Sequence, residues 1–250
     1  MAFVKLVDSM GSDSSIVQAA RVSYGQGTKT PSDDRGLIRY LMRHWHTTPF
    51  EMVEFKFHIK CPIYVARQWL RHRTASVNEI SARYSILPDE FFLPDEFRKQ
   101  AERNKQGSDG QLEGSANLLS KQKASCDLAF HVYDELLDKG VARELARSHL
   151  PLNTFTEFYW KINLHNLFHF LRLRMDDHAQ KEIQDLAKEM YELVRPVVPF
   201  ACEAFEDFRV GSITLSRLEV EAMKSGRREI AGKGENQEFQ EKLLRLSTQG

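Results

Sequence analysis

The sequence predicts an α+β protein in which a small, mainly antiparallel sheet is surrounded by helices that dominate residues 115–225. Three observations carry that expectation. Residues 52–61 alternate strictly, with Val53, Phe55, Phe57, Ile59 and Cys61 on one side and Glu54, Lys56, His58 and Lys60 on the other. A strand with one wet face belongs most naturally to an antiparallel sheet. The second half of the chain instead repeats its apolar residues at helical spacing. Finally, 250 residues that are 42% hydrophobic and 28% charged have a globular composition and can bury one sizeable core.

In chain order, residues 23–34 (SYGQGTKTPSDD) form a turn-rich connector. Leu37, Ile38, Leu41, Met42 and Trp45 then define an amphipathic helix, with Ser32 or Asp33 as its N-cap. The strand at 52–61 gives way to a helix that starts at Pro62, whose fixed φ suits a first turn, and runs to about Arg71. Residues 74–85 lack periodicity and predict a loop or a short irregular strand. The polar stretch at 105–114 is a surface excursion. A long helix follows, with Ala116, Leu119, Cys126, Ala129, Val132, Tyr133, Leu136 and Leu137 inward and Gly140 as its stop. Helical spacing is expected again from about Thr154 to Met175, and from Ala179 to Leu193. Ser216 with Glu219 forms a capping-box pattern for a short helix ending near Gly226. Residues 1–226 therefore constitute one domain, and the polar residues 227–250 a frayed tail.

Lys+Arg 35 balance Asp+Glu 35, which excludes a strongly basic nucleic-acid coat while leaving room for a local basic site. No apolar run approaches the roughly 18 residues of a membrane span, and the opening residues lack a signal-peptide pattern. The three cysteines, Cys61, Cys126 and Cys202, are few and widely spaced, as expected for a reducing cytoplasm.

The densest polar constellation is Arg67, Gln68, Arg71, His72 and Arg73, followed by Thr74, Ser76, Asn78, Glu79, Ser81, Arg83 and Tyr84. Cations at a helix C-terminus compensate its dipole, and that is the plainer account. The mixture of groups favours an anion site: guanidiniums fork onto phosphate, while Ser, Asn, Gln and Glu suit a sugar or base. Arginines beside Trp69 and Tyr84 could also take single-stranded nucleic acid, but zero net charge and the absence of a nucleic-acid module oppose that reading. A Rossmann flavoprotein is not supported either, since Gly25-x-Gly27 does not continue into GxGxxG. His165 and His169 are spaced like a zinc pair, yet no HExxH glutamate or third ligand accompanies them, and no metal is expected.

RHRTASVNEISARYS, Arg71 to Ser85, resembles the signature of the flavin-dependent thymidylate synthases: RHR, seven residues, then Ser81. RVSY at 21–24, HTTPFE at 46–51, PIYVARQW at 62–69 and the block from Leu150 to Gln180 agree with it, so the similarity spans most of residues 1–210. The resemblance implies contacts to FAD from Ser23, Thr48, Glu51, Arg71, His72, Arg73, Thr74, Glu79, Asn163, His165 and His169. At the last two positions some relatives carry Arg and Asn. It further implies that Gln68, Arg71, Glu79, Ser81, Arg83, Arg147 and Arg174 hold dUMP, and that His46 lies near flavin and folate with a catalytic part. The implied reaction methylates dUMP to dTMP from methylenetetrahydrofolate, with FAD carrying hydride and NADPH as reductant, in a homotetramer.

Uracil C5 is a poor nucleophile. One remedy is a cysteine thiolate added at C6, which needs an accessible thiol of low pKa. Cys61 ends a strand's apolar face, Cys126 lies in an inward stripe and Cys202 sits in PFACEAF, so the chain favours a cysteine-independent route. Arg174 is the candidate activator, because a guanidinium on the uracil carbonyl and N3 stabilises charge developing on the ring. Ser81 has no His–Asp partners nearby in sequence and is read as a positioning group. If one helix runs unbroken through Asn163 and Arg174, those two share a face, with His165, His169 and Arg172 opposite. That geometry predicts that one helix serves two sites in a homo-oligomer.

Overall fold

A computed structural model describes residues 1–22, 31–101 and 107–248. Strand β1 (Phe3–Met10) is followed by helices α1 (Asp13–Arg21), α2 (Pro31–Arg43) and the single turn α3 (Thr48–Glu51). Strand β2 (Glu54–Pro62), helix α4 (Ile63–Trp69), strand β3 (Ser76–Glu79) and the ribbon strands β4 (Arg98–Gln100) and β5 (Ser108–Gln111) come next. The long α5 (Ala116–Asp138) and short α6 (Arg143–Ala146), with a 3-10 turn at Arg147–His149, precede β6 (Phe155–Asn163). The remaining helices are α7 (Leu164–Arg174), α8 (Lys181–Val194), α9 (Pro199–Phe205), α10 (Arg217–Lys224) and α11 (Lys233–Thr248).

Among the described residues the main sheet has the order β1-β2-β6-β3, and each neighbouring pair is antiparallel. The expected strand is thus present, and its alternation is realised: Phe55, Phe57, Ile59 and Cys61 are fully buried. Phe158, Trp160 and Ile162 of β6 continue the same apolar face. Helix α4 seals it with Trp69, whose indole meets Phe158, Trp160 and Phe170 at ring-centroid distances of 5.9, 5.6 and 4.7 Å. Each such aromatic pair adds about 0.5–1.5 kcal/mol beyond area burial. Helix α8 packs its apolar stripe against β1 and α7. Asp13 fixes α9 from a distance, its carboxylate accepting from the backbone N–H groups of Phe200 (2.8 Å) and Ala201 (3.0 Å).

Several expectations are corrected. The helix expected from Thr154 begins only at Leu164, because Phe155–Asn163 is β6, one of the sheet's two inner strands. Glu157, Tyr159 and Lys161 alternate with Phe158, Trp160 and Ile162, a period of two that the aromatic run and the following helical spacing obscured. Trp45 lies beyond the end of α2 in the left-handed region (φ 62°) and is 63% exposed, so it is no core residue. The excursion at 105–114 contributes a strand to the β4–β5 ribbon. The connector at 23–30 and the side chains of Ser32 and Asp33 lie outside the described residues. Pro62 is the N-cap of α4 rather than its first residue.

Two compact units divide the chain, Met1–Phe205 and Glu206–Gly250. Residues 206–226 lie in the second of these units, together with the polar residues 227–250. The tail is not frayed: α11 is tied to α10 by Lys242, whose Nζ lies 2.8 and 3.0 Å from the two carboxylate oxygens of buried Glu219. Glu219 also closes the expected capping box with Ser216.

Candidate active site

Helix α4 ends at Trp69 because the chain turns sharply there: Arg71 N–H donates to Gln68 O (3.4 Å) and His72 N–H to Trp69 O (3.0 Å). Buried Trp69 anchors the turn, so Arg71, His72 and Arg73 leave the helix at a fixed point. His72 is half-buried, its ring edge-on to Phe170 at 4.9 Å and 6.1 Å from the ring of His169. Arg174, the last residue of α7, donates from Nε to His72 Nε2 (3.1 Å) and from Nη2 to Gln68 O (3.3 Å). An imidazole nitrogen that accepts carries no proton, so His72 is neutral with its proton on Nδ1. Burial first, then the charges of Arg174 and His169, push its pKa down to about 4. Burial and neighbouring Arg71 also lower the pKa of Arg174, which stays cationic.

At the other end of α7, Asn163 closes β6 and caps the helix, its Oδ1 accepting from Asn166 N–H at 3.0 Å. The single turn α3, carrying Thr48 and Glu51, packs against α7. The N-terminal turn of α7 also carries His165. Asn163 is thus outside the helix, and the face reckoning between it and Arg174 does not apply. His72 moreover meets both His169 and Arg174, so residues assigned to opposite faces converge on one side chain.

Of the remaining predicted residues, Arg83 and Arg147 lie at α6 and the others elsewhere. Arg83 Nε lies 3.8 Å from Glu144, and Arg143 Nη1 donates to Tyr84 O (2.8 Å). Arg147 is exposed one turn further on. Ser81 Oγ accepts from Arg83 N–H at 3.3 Å, a turn contact and no nucleophile's activation. Exposed Glu79 accepts from Thr156 Oγ1 (2.5 Å). His46 is exposed with its ring 5.9 Å from that of Tyr40. Arg73 and Thr74 are exposed, and Ser23 lies outside the described residues. The sequence reading gave Gln180 and Glu182 no part, yet Gln68 Nε2 donates to Gln180 Oε1. The only signal was Gln180's position at the end of the conspicuous block 150–180.

All three cysteines are buried, and burial with a contribution from Glu79 pushes the Cys61 thiol up to about 12. None is exposed to a substrate. What the site offers is charge and directed N–H donors on a rigid aromatic base, the equipment of an enzyme that binds phosphorylated, planar ligands.

The comparisons with known proteins narrow that class. Residues 5–200 match the family model described as thymidylate synthase complementing protein. A flavin-dependent thymidylate synthase of Dictyostelium discoideum is 54% identical over 260 residues, covering 98% of this chain and 86% of that protein. Its counterpart from Thermus thermophilus is 60% identical over 222 residues, covering 89% and 82%. The crystal structure of the UMP/dUMP methylase PolB from Streptomyces cacaoi, bound with 5-Br dUMP, superposes with a TM-score of 0.79 at 35% identity, covering 84% of this chain and 97% of that one. The chain belongs to the flavin-dependent thymidylate synthase family.

Proposed function

We propose that this protein methylates dUMP at C5 to give dTMP, with methylenetetrahydrofolate as carbon donor, FAD as its flavin and NADPH as reductant. The observation that carries the reading is Arg174 held by His72 and Gln68 beside Arg71, in a chain whose cysteines are all buried. Without a thiolate to add at C6, the ring must be activated by charge. Two fixed contacts pre-orient the Arg174 guanidinium, which still has N–H donors for a uracil carbonyl and N3. Neutral His72 accepts from Arg174 and so adds no positive charge of its own beside it.

The donor set fits a flavin nucleotide. Arg71 and Arg73 suit the phosphates, and His72, Asn163, His165 and His169 offer ring or amide nitrogens for the remaining polar edges, with Thr48, Glu51, Thr74 and Glu79 as further polar contacts. When bound, the flavin supplies hydride transfer; the chain supplies binding, orientation and electrostatics. Gln68, Glu79, Ser81, Arg83 and Arg147 take the nucleotide's sugar and phosphate, and His46 lies toward the folate. Two clusters of site residues, one at the ends of α7 and one around α6, suit a homotetramer in which copies complete each other's sites. Three buried free thiols suit a reducing cytoplasm, and no described helix is long and apolar enough to cross a membrane.

The test is to incubate flavin-loaded protein with dUMP, methylenetetrahydrofolate and NADPH. Formation of dTMP that requires every component is expected. A flavin-loaded protein that makes none would overturn the reading. Mixing inactive Arg174→Ala with inactive Arg147→Ala chains, altered in the two different clusters, should restore activity if sites are shared between copies.

A further inference from the structure

A single file of side chains connects the β4–β5 ribbon to the base of the site. Arg98 Nη2 donates to Glu182 Oε1 (2.5 Å), Gln180 Nε2 donates to Glu182 Oε2 (2.8 Å), and Gln68 Nε2 donates to Gln180 Oε1. The backbone oxygen of Gln68 in turn receives Arg174. Each link has a fixed direction. A guanidinium only donates and an ionised carboxylate only accepts, so Gln180 must turn its NH₂ to Glu182 and its carbonyl to Gln68. Gln68 must then turn its own NH₂ to Gln180, which uses one of its two N–H donors and fixes Oε1 on the other arm of the amide. The pair that sets this direction is well sheltered, with side-chain exposures of 30% for Arg98 and 10% for Glu182.

We infer that Arg98 and Glu182 are positioning residues that fix Gln68 as an acceptor, so that the site selects a nucleotide with a hydroxyl or ring N–H donor at that point. The inference rests on the proposed binding of dUMP near Arg174, and it gives the β4–β5 ribbon, through Arg98, a part in specificity. An amide free to flip would offer NH₂ or carbonyl indifferently. A carboxylate locked by arginine removes that choice. A site built to pair a polar group discriminates strongly against an analogue that lacks it.

The test has two arms on the flavin-loaded protein. Side-chain amide resonances of ¹⁵N-labelled Gln68 and Gln180 are compared without nucleotide in wild type and Glu182→Gln. Both pairs should shift in the variant, and unmoved Gln68 signals would refute the relay whether or not dUMP binds. Affinities for dUMP, 2′,3′-dideoxyuridine monophosphate and N3-methyl-dUMP are then measured. Wild type should prefer dUMP by about tenfold or more over whichever analogue lacks the recognised donor, which separates hydroxyl from ring N–H. Glu182→Gln and Arg98→Met should shrink that ratio several-fold with the melting temperature retained, and Arg98→Lys should restore it. An unchanged ratio in both variants, or equal wild-type affinities for all three nucleotides, would contradict the inference. Failure of wild type to bind dUMP at all would instead remove the functional reading.

Discussion

Arg174 and His72 act as one unit, and the pH dependence of His72 reports on it. Its pKa in the folded chain is held at about 4, against an ordinary value of 6.5. Between those pH values the unfolded chain binds a proton that the native one does not. Stability therefore declines as pH falls from about 6.5 toward 4. Replacing His72 with Gln should flatten that part of a melting-temperature profile, and identical slopes in wild type and variant would argue against the assigned state. Ser81 is a turn former whose hydroxyl supports Arg83 N–H. Ser81→Ala should weaken dUMP binding by roughly 2–13-fold, given about 0.5–1.5 kcal/mol for one such contact, and retain measurable dTMP formation. Intact affinity with no turnover would make it a catalytic group after all.

Elements were legible where one period dominated. Residues 52–61 alternate without interruption, and the strand is there. The same pattern at Phe158, Trp160 and Ile162 was hidden between Phe155 and the helical run Leu164, Leu167, Phe168 and Leu171, since aromatic residues fit either template. The β4–β5 ribbon carries no apolar alternation to read, and the left-handed turn at Trp45 has no glycine to announce it. Of the site, the Arg67–Arg83 cluster was visible because it is contiguous. The Arg98–Glu182–Gln180 file was not, because tertiary packing alone brings 98, 180 and 68 together. Capping across the fold belongs to the same tertiary level. Asp13 satisfies two N–H groups at the start of α9, so Asp13→Ala should cost about 1–2 kcal/mol, read as a lower urea midpoint with unchanged slope.

At the scale of the molecule, neutrality overall conceals local concentration of charge. The chain balances 35 cations against 35 anions, yet Arg71 and Arg174 are close enough for one cation to lower the pKa of the other, and Arg83 and Arg147 lie at α6. Buried acids elsewhere are paired for stability: Lys242→Ala would strand Glu219 and should loosen the 206–250 unit by about 2–4 kcal/mol, seen as faster amide exchange in α10 and α11. In the proposed reaction an arginine, and no cysteine, prepares the uracil ring. The most direct measurement is tritium release from [5-³H]dUMP by flavin-loaded wild type and Arg174→Ala in the presence of folate and reductant. Release should fall by about a hundredfold or more in the variant while flavin content stays the same. An Arg174→Ala protein that releases tritium at the wild-type rate would show that the ring is activated by another group.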